Sequence, residues 1–116
     1  MKYLLLIYDR EQDRLAMPAD DRGKLYAEYK TLVGELSTAG RYIGGEPLQP
    51  TTTATSVRVR DGKSQITDGP FAETREQLGG YFLVEAKDLD EATKIAARIP
   101  AAKAGTIEVR PLASRD

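Results

Sequence analysis

An α+β fold, with two helices on one face of an antiparallel sheet, is predicted by three features of this 116-residue chain. Tyr3–Tyr8 and Tyr81–Ala86 are apolar on both faces, as central strands are. Two other segments carry apolar residues at helical spacing. Between them lies Asp61-Gly62, flanked by short runs of strand-forming residues, a strong local signal for a hairpin.

In the first strand, Tyr3, Leu5 and Ile7 fall on one face and Leu4, Leu6 and Tyr8 on the other. Pro18 suits the first turn of a helix, and Asp20 and Asp21 complement its dipole. Leu25, Tyr29, Leu32, Val33 and Leu36 then form one buried stripe, and Gly40 closes the helix. Arg41–Gly44 reads as a second strand that ends in Gly44-Gly45. Ser56–Arg60 and Lys63–Thr67 flank the hairpin turn. A two-residue loop places Val59 opposite Ser64 and Val57 opposite Ile66, and leaves Arg58, Arg60, Lys63 and Gln65 on a wet face.

Tyr81–Ala86 is two-faced until Glu85. Asp88 and Glu91 make a capping box for a second helix, whose stripe is Ala92, Ile95, Ala96 and Ile99 and whose stop is Pro100. Thr106–Leu112 alternates, with Ile107 and Val109 inward and Glu108 and Arg110 outward, which suits an edge strand. This order fits a ferredoxin-like split βαβ with an inserted β-hairpin. Both helices cover the same sheet face. The other face keeps apolar side chains, and a second copy packed sheet to sheet is the simplest cover.

Composition narrows the function. The length suits one domain over residues 1–116, with 41% apolar and 30% charged residues. A net charge of −1 offers no field for nucleic acid or an anionic membrane, and neither is an expected partner. With no cysteine and no histidine, disulfides, thiolate sites and the commonest metal ligand and general base are excluded. No carboxylate cluster has metal-binding spacing, so no cofactor is expected. Leu4–Ile7 is too short and too poorly flanked for a signal peptide, which makes a cytoplasmic location the expectation.

The chemistry concentrates between Thr67 and Tyr81. Asp68, Gly69 and Pro70 form a constrained turn, and loops held by a rigid sheet are where binding groups sit. The candidate polar set is Tyr8, Glu46, Asp68, Glu73, Arg75 and Tyr81, with Phe71 as an apolar wall. Asp68 is either a general acid or base or the cap of an Asx turn. Arg75 either clamps an anionic substrate group or pairs with Glu73 or Glu76 at the surface. Tyr8 and Tyr81 are either site residues or part of a core or dimer interface. Gly79-Gly80 lacks phosphate-loop spacing and points instead to close backbone approach or a bulge.

The run Asp68-Gly69-Pro70-Phe71-Ala72-Glu73-Thr74-Arg75-Glu76-Gln77-Leu78-Gly79-Gly80-Tyr81 resembles the signature of the DGPF branch of the YCII-related family, with Arg75 where Lys is usual. Met1–Tyr8, Gly45–Pro50, Val57–Lys63, Asp88–Ala92 and Glu108–Leu112 fit as well. The resemblance implies a dimeric α/β barrel, a homodimer. It suggests Asp68 as the remnant of a His–Asp pair, because this chain has no histidine to complete one. It also implies association with an alternative sigma factor. The expected functions are therefore a small dimeric enzyme with a small-molecule cleft lined by the DGPF loop and acid–base chemistry at Asp68, or a non-catalytic ligand-binding or regulatory module.

Overall fold

A computed structural model describes residues 1–114. Four strands form one antiparallel sheet in the order β2 (Tyr42–Pro47), β5 (Gln77–Glu85), β1 (Lys2–Asp9) and β6 (Thr106–Pro111). The long helix α2 (Ala19–Thr38) and the shorter α3 (Leu89–Arg98) pack on one side of it. Two-faced strands take the centre because only there can both faces be covered. Thus β1 pairs with β5 and β6, while β6 and β2 form the edges.

The core is the set of inward side chains the alternation picks out. Tyr3, Leu5 and Ile7 of β1 and Phe82 and Val84 of β5 meet Leu32 and Leu36 of α2 and Ala92, Ile95 and Ala96 of α3, with Ile99 just beyond that helix. The Asp88 carboxylate accepts from the Glu91 backbone N–H at 2.9 Å, which caps α3. Pro100 follows the last helical turn and starts a single 3-10 turn. Gly40, at φ 72°, ends α2 in the left-handed conformation that suits glycine.

The hairpin strands β3 (Thr55–Arg60) and β4 (Lys63–Asp68) form a separate two-stranded sheet with the expected register, Val57 opposite Ile66 and Val59 opposite Ser64. Asp61 and Gly62 both have positive φ, as a two-residue primed turn requires. All hairpin residues except Ser56 are exposed, Val57, Val59 and Ile66 included. The hairpin thus extends away from the core, and the radius of gyration is 16.1 Å. A compact chain of this length would have roughly 13 Å.

Three element boundaries differ from expectation. Strand β2 runs Tyr42–Pro47 rather than Arg41–Gly44, because β5 is long enough to pair with it past a bulge at Ile43. Strand β5 begins at Gln77, so Gly79-Gly80 lies inside it. A short helix, α1 (Glu11–Leu15), forms before Pro18. It carries the buried Glu11, whose carboxylate accepts from the Thr51 backbone N–H and hydroxyl, both at 2.7 Å. The Glu11 backbone N–H donates to the Gln77 side chain at 3.0 Å. One carboxylate therefore ties α1 to the segment that leads into the hairpin. Those neutral donors are what make its burial tolerable.

Candidate functional site

The helical stripe of α2 does two things. Leu32 and Leu36 are sealed onto the sheet. Leu25, Tyr29 and Val33, beside them on the same helix, instead roof a cleft of about 570 Å³. The floor comes from Ile7, Phe82 and the glycine-rich backbone of β2 and β5, and Asp9 and Arg14 form one wall.

Glycine on the floor is a steric requirement. A Cβ on Gly45 would lie 2.5 Å from the Tyr81 carbonyl oxygen, and one on Gly80 would lie 3.0 Å from the Glu46 carbonyl oxygen. Opposite β1 the register skips Gly79, since Ile7 pairs with Gly80 and Tyr8 with Leu78. Gly79 is thus the extra residue of a β-bulge, and its carbonyl accepts from the Leu48 backbone N–H at 2.9 Å. Both readings of Gly79-Gly80, close approach and bulge, hold.

Beside this bulge lies the Asp9–Arg14 ion pair. Arg14 Nε donates to Asp9 Oδ2 at 2.9 Å, with the two side chains 27% and 17% exposed. Asp9 Oδ1 is shielded from solvent and has no hydrogen-bond partner among the described residues. Arg14 reaches the pair from α1, and Asp9 sits where β1 ends.

The far wall is aromatic. Tyr29 and Tyr42 both meet Phe82 edge-on, with ring centroids 6.2 Å and 5.4 Å apart. Burial pushes the Tyr29 phenol above its ordinary value; the Ala101 backbone and Arg14 oppose this, and Asp9 reinforces it. Burial also raises Tyr42, and the nearby Glu46 and Tyr81 add to the shift. Both phenols therefore stay neutral at physiological pH and act as polar-tipped walls.

The residues singled out from sequence separate into three places. Glu46 and Tyr81 border the cleft, although Tyr81, next to the inward Phe82, alternates to the sheet face away from the helices. Tyr8 is half-buried on strand β1, on the sheet face away from the helices. Asp68 ends β4 opposite Thr55, and Phe71, Glu73 and Arg75 follow on the loop beyond it; all four are exposed and none lines the cleft. Glu73 and Arg75 form no ion pair among the described residues. In this structure the cleft is lined by other segments, and the loop after β4 stands apart from it. The physical reason is that β3 and β4 pair with each other rather than with the main sheet, which carries the loop outward.

Asp9, Arg14, Tyr29 and Tyr42 were not among those candidates. Only Asp9 left a trace in the sequence, as an acidic residue where a two-faced apolar strand stops. Among the described residues no group of three or more Asp and Glu side chains could hold a metal ion, and no helix is long and apolar enough to cross a membrane.

The sheet order, the inserted hairpin and the cleft under a helix define a ferredoxin-like α+β protein with a candidate small-molecule site. The chain belongs to the YCII-related family, whose domain matches residues 1–114. It is 35% identical over 115 residues to an uncharacterized protein of Rhizobium meliloti strain 1021, covering 97% of this chain and 93% of that one. It also shares its fold with the 5-chloro-2-hydroxyhydroquinone dehydrochlorinase of Burkholderia phenoliruptrix AC1100, a structure solved in complex with 2,5-dihydroxybenzoquinone. The TM-score is 0.55 at 16% identity, over 97% of this chain and 94% of the other.

Proposed function

We propose that this protein is a small dimeric α/β barrel that binds a small molecule in the cleft beneath Leu25, Tyr29 and Val33 of α2. The cleft itself carries the reading: about 570 Å³, with apolar and aromatic walls and one ion pair. Sites for small organic molecules have this size and character. The dehydrochlorinase that shares the fold is complexed with a small ring compound, a ligand of a size in keeping with this volume.

Dimerisation is supported by the free sheet face, where Leu4, Leu6, Tyr8, Tyr81 and Leu83 are only half-buried. A second copy would cover them as one face of a barrel. Acid–base chemistry through Asp68 depends on that second copy. Only a partner surface could enclose Asp68, Phe71, Glu73 and Arg75, which are exposed in one protomer. The alternative is a non-catalytic cytoplasmic module that acts with a sigma factor through protein contacts. Its supporting observation is the exposed apolar set Val57, Val59, Ile66 and Phe71.

Sedimentation equilibrium at micromolar concentration tests the barrel. A dimer is expected for the native chain and a monomer for Leu4→Glu, which places a charge on the free sheet face. A stable native monomer would remove the barrel and the enclosure of Asp68 together. Asp68→Asn then separates the two readings of the dimer. Loss of turnover with the fold intact indicates proton transfer, and a change in affinity alone indicates binding.

A further inference from the structure

We propose that the Arg14 guanidinium is the anchor of this cleft, and that the ligand is a small ring compound bearing a carboxylate. The proposal rests on the reading that the cleft is a ligand site, and it names the chemistry of that ligand.

Three observations carry it. First, Arg14 is held by Nε alone, which donates to Asp9 Oδ2 at 2.9 Å. Among the described residues its Nη1 and Nη2 make no hydrogen bond, so the donors of the forked end are unused. Second, the side chain is 27% exposed and lies in the cleft wall. The Asp9 pairing orients the guanidinium in advance, which lowers the ordering cost of binding. Third, the position beside the fork is kept clear: a Cβ on Gly79 would lie 3.2 Å from Nη2.

The remaining walls select the body of the ligand. Tyr29, Tyr42 and Phe82 give an aromatic surface, and Met17, Leu25 and Val33 complete the apolar side. Arg10 and Lys30 at the lining are matched by Asp13 and Glu46, and Arg14 by Asp9. The lining thus has no net charge to attract anions from a distance. Recognition has to come from the fork at close range, which favours a planar, two-oxygen partner over a diffuse anion.

Benzoate and benzyl alcohol, the same ring with and without the anion, provide the test. Both are titrated into the native chain, Arg14→Lys and Gly79→Ala, and followed by amide NMR shifts. Benzoate should bind the native chain about tenfold or more tightly than benzyl alcohol, a ratio typical of hydrogen bonds to a charged group. Arg14→Lys keeps the charge but loses the fork, and Gly79→Ala puts a methyl group 3.2 Å from Nη2, which displaces the fork. Both should lower that preference while benzyl alcohol binds as before. Equal binding of the two probes, or a benzoate preference unchanged in both variants, would overturn the Arg14 assignment and leave the cleft reading standing. No shift at cleft residues with either probe at millimolar concentration would overturn both.

Discussion

The apolar stripe of α2 faces one sheet with two sets of residues and gives two different results. Leu32 and Leu36 join Leu5 and Val84 in the buried core, and the interface closes there. Around Leu25, Tyr29 and Val33 the helix faces Gly45, Gly79 and Gly80, and the interface opens into a cleft. The helical stripe is continuous, so the helix does not decide which set is site and which is core. The floor contributes: Gly45, Gly79 and Gly80 place no side chain in the gap beneath Leu25, Tyr29 and Val33, while Ile7 and Phe82 supply its apolar part.

The largest expected effect lies in the closed set. Leu36 is 2% exposed, and Leu36→Ala should lower the unfolding free energy by about 2–5 kcal/mol. Leu25→Ala, over the cleft, should cost about 1 kcal/mol or less, because Leu25 is already partly exposed there. Urea denaturation of the two variants measures the contrast, and equal losses would mean that the two sets do not differ.

Next in size is the floor. Gly45→Ala puts a methyl group against the Tyr81 carbonyl, which is backbone and cannot turn aside, so β2 must shift from β5. A loss of about 1–3 kcal/mol is expected, with increased amide exchange along β2. Gly79→Ala should cost less than about 1 kcal/mol. Its nearest neighbour is the flexible end of Arg14, which can give way. A large loss of stability in Gly79→Ala would show that the Asp9–Arg14 pair is rigidly held.

The smallest effect is the pH response of the open set. Burial raises the Tyr29 phenol above its ordinary value of 10.0. A group raised in this way contributes stability that is complete below pH 10. That stability is lost as pH climbs through the folded value. Thermal melts of the native chain and Tyr29→Phe should therefore converge or cross above pH 10, with the native chain falling faster. Parallel curves would place Tyr29 in contact with solvent.

Much of the fold was legible because it depends on neighbours in sequence. The Asp61-Gly62 turn needs only two residues able to take positive φ, and it sets the whole register of β3 and β4. The α3 cap and its apolar stripe span one short helix. Strand ends were less legible. The reach of β2 to Pro47 depends on how far β5 extends alongside it, and the bulges at Ile43 and Gly79 arise from that pairing.

The candidate site divides in the same way. The sequence concentrates chemistry after Thr67, yet Asp68 at the end of β4 and Arg75 in the loop beyond it stand apart from the cleft. Of the residues named from sequence, Glu46 and Tyr81 border the cleft, while Asp9, Arg14 and Tyr29 of its lining carry no local pattern that distinguishes them from other charged or helical residues.

By itself, the sequence determined the α+β class, the order of the elements, the hairpin and the two apolar stripes, because periodicity and turn chemistry act over a few residues. Tertiary structure alone decided that a bulge at Gly79 lies beside Arg14, that Glu11 is buried against Thr51, and that part of one helical stripe roofs a cleft. Each of these brings together residues distant in the chain, or depends on backbone separations of a few ångströms that arise only when the strands pair and the helices pack.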